Sequence, residues 1–303
     1  GVPGELTREV APRGRSIPGS EHVTEQPVPG RDIVLTLDRS IQFATEQALI
    51  SRVSELNAKS GYVIVMDTDS GDVLAMSSVQ RNGEGTVEIT SGNYAAVNAY
   101  EPGSVAKVMT IAAALNQGTV TPDTTFVGPW RRQYADDLLT DSHQHPDELL
   151  TVDQILVESS NIGTIDVQMS MGQGDWDLAR QTHWEYLRRF GMGQQTALDF
   201  PGESPGLLKH WTELWGSERV TVAYGQGFSA TPIQMAAAIN AIANDGVYVA
   251  PRLVSVLVDA DGEMQVAASP ETHEIVTPAV AQQVQQMMRG VVCRGTGKLA
   301  QEG

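Results

Sequence analysis

The pattern of apolar and polar residues predicts mixed α and β structure along the chain. Residues 31–37 alternate in the way typical of a strand, and residues 61–66 and 73–77 are two β-rich runs joined by an acidic turn, which predicts a hairpin. Asp38 comes directly before an amphipathic run, so a helix over residues 38–56 with Asp38 as its N-cap is expected. The beginning of the chain is therefore predicted to be a strand, a helix and a hairpin.

The middle and the end of the chain are richer in helical patterns. Apolar runs bounded by glycine, proline or capping residues predict further helices over residues 105–115, 152–157, 178–189, 230–244 and 278–292. A last strand is expected at residues 254–258. Because strands open and close around a helical middle, we expect one mixed domain of the α+β class, with its sheet joining both ends of the chain. Residues 1–30 are rich in glycine and proline and have the composition of a linker.

Composition and charge exclude several classes of function. The chain has 303 residues, of which 41% are hydrophobic and 19% are charged, as in ordinary soluble globular proteins. Its formal net charge of -17 repels phosphate backbones, so no nucleic-acid partner is expected. Cys293 is its single cysteine, which excludes an intrachain disulfide. No run of residues approaches the ~18–20 apolar positions of a membrane span.

The first candidate for chemistry is a serine three residues before a lysine. Ser104 and Lys107 lie at the start of the predicted helix 105–115, and side chains at this spacing share one helix face. A serine hydroxyl needs a base within hydrogen-bond distance to become a nucleophile. Lys107 can be that base only if its pKa falls from the ordinary value of about 10.4, which desolvation and a helix N-terminus both favour. Taken alone, Ser-x-x-Lys is a weak signal, since most such pairs lie on solvated surfaces.

A second element strengthens this interpretation. Ser159-Ser160-Asn161 has the Ser-x-Asn form that penicillin-recognising enzymes use together with Ser-x-x-Lys. Its first serine can relay a proton, and its asparagine can bind a substrate amide. A helix-capping turn would be the commoner explanation of Ser-x-Asn by itself, but the combination of both motifs favours catalysis.

The chain resembles the transpeptidase domain of class B penicillin-binding proteins. The likeness is carried by Glu101-Pro102-Gly103-Ser104 at the nucleophile, and by further segments that follow in the family's order: Leu35-Thr36-Leu37-Asp38, Phe190-Gly191-Met192-Gly193, Pro201-Gly202-Glu203, Tyr224-Gly225-Gln226-Gly227, Thr231-Pro232 and Ala243-Asn244-Asp245-Gly246. Ser159-Ser160-Asn161 followed by Ile162-Gly163 is similar to the septal, or division, branch. The resemblance implies a penicillin-binding transpeptidase-like fold, a largely antiparallel sheet flanked by helices with a helical subdomain. Residues 31–303 would be this domain, and residues 1–30 a linker or the remnant of an N-terminal pedestal.

The resemblance also implies a mechanism. Ser104 would attack the carbonyl between two D-alanines of a peptidoglycan stem peptide, and an amine of a neighbouring stem peptide would resolve the acyl-enzyme. Lys107 would be the base, Ser159 the proton relay and Asn161 a ligand of the substrate amide, with Gln226 a neighbour of the site. β-Lactams would acylate the same serine, and no cofactor or metal would be needed.

The family also implies a location and partners. The protein would lie at the extracytoplasmic face of the bacterial cytoplasmic membrane, anchored by an N-terminal helix that these residues do not contain. A membrane glycosyltransferase and other division proteins would be its partners.

One element of the family pattern is missing from these 303 residues. The family needs a Lys-Thr/Ser-Gly strand at the edge of the cleft, and Lys298 lies in a Gly-Thr-Gly-Lys stretch of the wrong order, so it is given no catalytic role. We expect the natural protein to continue past this point. The missing strand leaves a non-catalytic scaffold for division partners as an alternative, besides a D,D-carboxypeptidase or a less favoured serine β-lactamase.

A metal site is the remaining alternative in the sequence. The stretch after Thr140 contains two histidines and three acidic residues, namely Asp141, His143, His145, Asp147 and Glu148. Histidines two residues apart in an acidic stretch with a proline are far more often part of a solvated loop. No metal is therefore expected here.

Overall fold

The computed structural model describes residues 1–301, and the contacts within the chain divide it into two compact units. The first unit combines residues 1–36 with residues 253–269. The second unit holds residues 37–252 and the described residues from 270 onwards, and it contains all the motifs singled out above. Within the described residues, no helix is long and apolar enough to span a membrane.

The strands of the described residues are short and are numbered in chain order. They are β1 (Glu5–Thr7), β2 (Val10–Ala11), β3 (Arg15–Ser16), β4 (His22–Glu25), β5 (Asp32–Leu35), β6 (Ser60–Met66), β7 (Val73–Arg81), β8 (Val87–Ile89), β9 (Thr125–Gly128), β10 (Arg131–Tyr134), β11 (Asp137–Thr140), β12 (Glu148–Thr151), β13 (Val247–Val249), β14 (Val254–Val258), β15 (Met264–Val266) and β16 (Thr272–Glu274).

The α-helices of the same residues have four to 17 residues. They are α1 (Arg39–Glu55), α2 (Tyr94–Val97), α3 (Lys107–Asn116), α4 (Val152–Glu158), α5 (Asn161–Ser170), α6 (Trp176–Arg189), α7 (Glu218–Thr221), α8 (Pro232–Ala243) and α9 (Pro278–Arg294). Short 3₁₀ turns cover Gly103–Ala106, Trp211–Glu213, Val222–Tyr224 and Lys298–Ala300. The predicted helices are all found, with ends shifted by a few residues at most, as is usual for boundaries.

The first unit is built from antiparallel pairs. Strand β1 pairs with β4, β2 pairs with β3, and β14 lies between β5 and β15 in a three-stranded sheet. Residues 1–30 therefore carry short strands where the composition predicted a linker. Their glycines act as turn residues between the strands, since Gly14 and Gly19 have φ of 76° and 80°.

The second unit begins with the predicted helix and hairpin. Asp38 caps α1, because its Oδ1 accepts hydrogen bonds from the amides of Ser40 and Ile41 at 2.8 and 3.0 Å. Strands β6 and β7 pair antiparallel, and β8 adds to the other side of β7. The strand pair of β5 with β14 does join the two ends of the chain, but it belongs to a different sheet from β6–β7–β8. The strand ladders of the described residues are antiparallel, as expected for the α+β class.

Helix α3 lies at the centre of the second unit. Residues 107–115 are all buried, and the helix contacts α5, α6 and α9. Its alanines allow this close approach on every side, and the large side chains of Met109 and Ile111 fill the space between the helices. A helix that is apolar all round belongs in a core. Lys107, the first residue of α3, is thus a cation at the edge of an apolar core.

Candidate active site

The proposed nucleophile is exposed at the protein surface, whereas the proposed base is buried. The 3₁₀ turn Gly103–Ala106 runs directly into α3, which places Ser104 on the turn and Lys107 at the start of the helix. Ser104 is exposed, whereas Lys107 is 0% exposed. The serine hydroxyl is therefore open to a substrate, and the lysine lies beneath it.

Hydrogen bonds hold the backbone of the nucleophile turn against the segment that contains Gln226. The Gly103 amide donates to the Gly225 carbonyl at 3.0 Å, and Glu101 Oε1 accepts from the Gly227 amide at 2.9 Å. Gly225 has φ of 85°, and a Cβ there would lie 2.0 Å from the Gly103 carbonyl oxygen, so only glycine fits. Gln226 itself is exposed between these two contacts. The Tyr-Gly-Gln-Gly motif thus lies beside the turn that contains Ser104.

Lys107 connects the two motifs. Its Nζ donates to Ser159 Oγ at 2.9 Å and to the Ser159 carbonyl oxygen at 2.5 Å. Within residues 1–301 its ammonium makes no hydrogen bond to the Ser104 hydroxyl. Burial lowers the pKa of Lys107 to about 8, although the negative charge of Asp141 acts in the opposite direction. A substantial fraction of Lys107 is therefore neutral at mildly alkaline pH and able to accept a proton.

The Ser-Ser-Asn motif forms the tight turn between two helices. Ser159 ends α4 with φ of 61° and ψ of 40°, a left-handed conformation that is uncommon for serine. Ser160 then caps α5, since its Oγ accepts from the Gly163 amide at 3.0 Å. Asn161 is the first residue of α5, and its Nδ2 donates to the Thr140 carbonyl at 2.8 Å. The strained backbone of Ser159 turns its side chain and its carbonyl towards Lys107.

Asp141 orients this turn. Its Oδ1 accepts from the amides of Asn161 and Ile162 at 2.5 and 3.1 Å, and its Oδ2 accepts from Ser160 Oγ at 2.9 Å. Asp141 is only 8% exposed. A carboxylate at the first amides of α5 is also favoured by the positive end of the helix dipole. Asp141 therefore fixes the backbone that presents Ser159 and Asn161.

His145 completes the surroundings of Asp141. Its Nε2 lies 3.1 Å from Asp141 Oδ2, and its Nδ1 lies 2.7 Å from the Pro146 carbonyl oxygen. Partial burial lowers the pKa of His145, but the hydrogen bond to Pro146 and the charges of Asp141 and Glu148 outweigh it, so the pKa is raised overall. We call Asp141 and His145 the rim pair.

The rim pair corrects the interpretation of the stretch after Thr140 as a solvated loop. That interpretation is right for His143, which is exposed, but it is wrong for the buried Asp141 and the half-buried His145. Within the described residues, no group of three or more histidine, cysteine or acidic side chains is arranged to hold a metal ion. Instead, Asp141 accepts hydrogen bonds from the Ser159-Ser160-Asn161 turn, and His145 contacts Asp141.

A second histidine lies behind the site in the interior. His183 of α6 is 1% exposed, and its Nε2 lies 2.9 Å from Thr110 Oγ1 while its Nδ1 lies 3.2 Å from Gln168 Nε2. The Thr110 hydroxyl donates to the Ala223 carbonyl at 2.6 Å, so it must accept from His183, and Gln168 donates to the other ring nitrogen. Both bonds fit a neutral imidazole, and burial lowers its pKa to about 3. We call Thr110, Gln168 and His183 the interior network.

The sequence did not indicate the interior network, and it treated Asp141 only as a weak metal ligand. Asp141 and His145 lie four residues apart in an irregular segment, where spacing carries no information on shared faces. His183 lies on an otherwise ordinary amphipathic helix, α6. Asp141 lies 18 residues before Ser159 and four other acidic residues lie nearer to it, so no signal in the sequence singled it out.

Comparison with known proteins identifies similar sequences and structures. The description of the matching family is "Penicillin binding protein transpeptidase domain", and the match covers residues 61–303. Penicillin-binding protein PbpB of Mycobacterium tuberculosis is 33% identical over 316 residues, which cover 99% of this chain and 45% of PbpB. Stage V sporulation protein D of Bacillus subtilis is 26% identical, with 95% of this chain and 45% of that protein covered. This chain therefore spans less than half the length of these two relatives.

The fold is shared with solved structures. Penicillin-binding protein 3 of Mycobacterium tuberculosis in complex with aztreonam superposes with a TM-score of 0.82 at 31% identity, over 97% of this chain and 64% of that one. The same protein in complex with ampicillin also gives a TM-score of 0.82 at 31% identity, over 93% of this chain and 64% of that one. The predicted fold is confirmed by these likenesses.

Proposed function

Because the chain belongs to the penicillin-binding protein transpeptidase family, we propose that Ser104 is the acylating nucleophile of a peptidoglycan D,D-transpeptidase. The family match over residues 61–303 confirms the family that was predicted from the motifs. The observation that carries the proposal is Lys107, which is fully buried, has a lowered pKa and donates to Ser159 Oγ at 2.9 Å. A structural lysine would lie on the surface, since burying an ammonium costs several kcal/mol.

The acylation step uses the three residues in turn. Neutral Lys107 accepts the hydroxyl proton of Ser104 while Oγ attacks the carbonyl carbon between the two D-alanines of a stem peptide. The tetrahedral intermediate then collapses, the peptide C–N bond breaks, and the leaving nitrogen takes a proton that passes from Lys107 through Ser159 Oγ. Free D-alanine departs, and the remaining peptide is an ester of Ser104.

The second step runs in the opposite direction. An amine of a neighbouring stem peptide gives up a proton to the same lysine–serine pair and attacks the ester carbonyl. The acyl C–O bond to Ser104 then breaks, the serine oxygen takes a proton back from Lys107, and the new amide bond is the cross-link. Asn161 lies at the start of α5 beside Ser159 and would bind the amide of the substrate. Gln226 lies exposed beside the nucleophile turn and would contact the substrate from that side.

β-Lactams are proposed to acylate Ser104 in the same way as the substrate. Two of the similar solved structures are complexes with aztreonam and ampicillin, which supports this reading. The acyl-enzyme would persist because the opened β-lactam ring remains attached and blocks the approach of the amine.

An activity assay on the full-length protein tests the proposal and distinguishes a transpeptidase from a carboxypeptidase and from a non-catalytic scaffold. The purified protein is given a stem-peptide donor with and without an acceptor amine, and both D-alanine and the cross-linked peptide are measured. A transpeptidase yields cross-linked product, a carboxypeptidase yields D-alanine alone, and a scaffold yields neither. Ser104→Ala is the control for turnover at another site. The absence of both products from the folded protein would contradict the proposal.

We further propose that the protein works at the extracytoplasmic face of the cytoplasmic membrane, with a membrane glycosyltransferase and other division proteins as partners. Peptidoglycan stem peptides are found on that side, and a glycosyltransferase would supply the strands to be joined. A fluorescent fusion of the full-length protein should gather at division sites. An even distribution around dividing cells would contradict the assignment to division.

A further inference from the structure

The rim pair leaves no freedom in the ionisation of His145. Nδ1 faces a carbonyl oxygen and Nε2 faces a carboxylate oxygen, and neither of these acceptors can donate a proton. Both contacts are hydrogen bonds only if both ring nitrogens carry hydrogen. The geometry therefore selects the imidazolium, a cation beside Asp141.

The cation holds Asp141 where the motif needs it. Asp141 Oδ2 accepts from both His145 Nε2 and Ser160 Oγ, while Oδ1 accepts from the first two amides of α5. The carboxylate is thus held from both sides at nearly complete burial, with a side-chain exposure of 4%. Losing the donor on the loop side would leave one lone pair of a buried carboxylate without its partner.

The same cation compensates the charge that Lys107 feels. The negative charge of Asp141 favours the protonated form of Lys107, which is the form that cannot act as a base. A positive charge on His145 offsets part of this effect. The other charged or titratable side chains that face His145 are Glu148, whose charge favours the imidazolium, and His143, whose ring centre is 5.7 Å away.

We propose that His145 is a positioning residue for acylation: its imidazolium holds the Asp141 carboxylate under the Ser159-Ser160-Asn161 turn and keeps Lys107 able to lose its proton. The residue acts through Asp141 and touches neither the substrate nor Ser104. The inference rests on the proposed function for its effect on rate, whereas the ionisation of His145 can be measured without any activity.

The kinetic test compares two neighbouring histidines in the full-length protein. His145→Gln keeps a donor but cannot carry charge, and His143→Gln is the matched control because His143 is exposed. The rate of acylation by a fluorescent penicillin is measured from pH 6 to pH 10, with folding checked by thermal unfolding. His145→Gln should slow acylation roughly tenfold or more. It should also shift the rise of the rate to higher pH, because the uncompensated Asp141 stabilises protonated Lys107. His143→Gln should leave both unchanged.

The outcomes separate this inference from the proposed function. A normal pH profile and rate for folded His145→Gln would overturn the role of His145, while acylation by the parent protein would still support Ser104. If His145→Gln does not fold, the ring nitrogens of His145 are followed by NMR in the parent protein. Two protonated nitrogens at about pH 7.5, where an unperturbed histidine is mostly neutral, in one folded species, support the inference. A neutral imidazole at that pH overturns it.

Discussion

Two histidines support the same site, and their surroundings shift their pKa values in opposite directions. His145 lies near the surface between two acceptors, so its pKa is raised and the imidazolium is favoured. His183 lies in the core between a hydroxyl and an amide, so its pKa is lowered to about 3 and it stays neutral. The difference comes from the partners and from burial, since the residue type is the same.

The comparison explains what each region does for the site. The rim pair uses charge to hold the backbone amides of α5, which a neutral side chain would hold more weakly. The interior network joins α3, α5 and α6 through neutral hydrogen bonds, which cost less to bury than a charge. Lys107 lies between the two regions, because Thr110 follows it by one turn on α3 and Ser159 accepts its hydrogen bond.

The pH dependence of stability should have opposite signs in the two regions. The folded pKa of His183 is below its unfolded value of 6.5, so its contribution is present above pH 6.5 and is lost as the pH falls from there towards 3. The folded pKa of His145 is above its unfolded value, so its contribution is present below pH 6.5 and is lost as the pH rises through the folded pKa. The interior network is therefore expected to contribute less to stability at acidic pH, and the rim pair less at alkaline pH.

The largest effect is expected from substituting Lys107, the residue that both regions support. Lys107→Met should lower the rate of acylation by penicillin by about 10²–10⁴-fold, because it removes the proposed general base, which is hydrogen-bonded to Ser159 Oγ. In the parent protein, the rate should rise with pH up to about 8, as Lys107 becomes neutral. The measurement is a pH series of stopped-flow labelling, with Lys298→Met as the exposed lysine control. A rate within threefold of the parent's would remove Lys107 from the mechanism.

A smaller effect tests the rim. Asp141→Asn places an amide where two oxygens accept, so one donor of the motif loses its partner and the turn at Ser159 loosens. Acylation should fall roughly tenfold to a hundredfold. The surviving activity should begin to rise at a lower pH than in the parent, because the charge that raises the pKa of Lys107 is gone. Asp147→Asn, an exposed carboxylate in the same loop, should change neither. An unchanged rate for Asp141→Asn would show that the Ser159-Ser160-Asn161 turn keeps its geometry without the Asp141 carboxylate.

The smallest effect tests the interior and concerns stability. His183→Leu leaves the Gln168 amide nitrogen without its acceptor and removes one of the two hydrogen bonds of the Thr110 hydroxyl, which keeps its bond to Ala223. The free energy of unfolding should therefore fall by about 1–3 kcal/mol. Urea unfolding at pH 7 measures the loss, with the exposed His22→Leu as control. Because leucine does not titrate, the variant should also lose much less stability than the parent between pH 6.5 and pH 5. Parallel pH profiles for the two proteins would mean that His183 has the same pKa in the folded and the unfolded state, and is therefore charged at pH 5 in the folded protein.

The sequence predicted the family and the elements of the fold well, and it failed where contacts come from tertiary structure. Ser104 and Lys107 were singled out because residues three apart on a helix can share one face, which is a local rule, but in the structure Lys107 Nζ donates to Ser159 instead. The bond between Lys107 and Ser159 could be expected only from the family resemblance, since 52 residues separate them. Asp141 and His183 gave no periodic signal, because their roles depend on which elements pack together. The strands of residues 1–30 were missed since their turn glycines resemble those of a linker.

The most direct test of the account is to locate the covalent adduct. The full-length protein is reacted with a penicillin, digested, and analysed by tandem mass spectrometry, with Ser104→Ala treated in parallel. If Ser104 is the acylated nucleophile, a single penicilloyl group is found on Ser104 and is absent from Ser104→Ala. An adduct on another residue, or no adduct on folded parent protein, would contradict it.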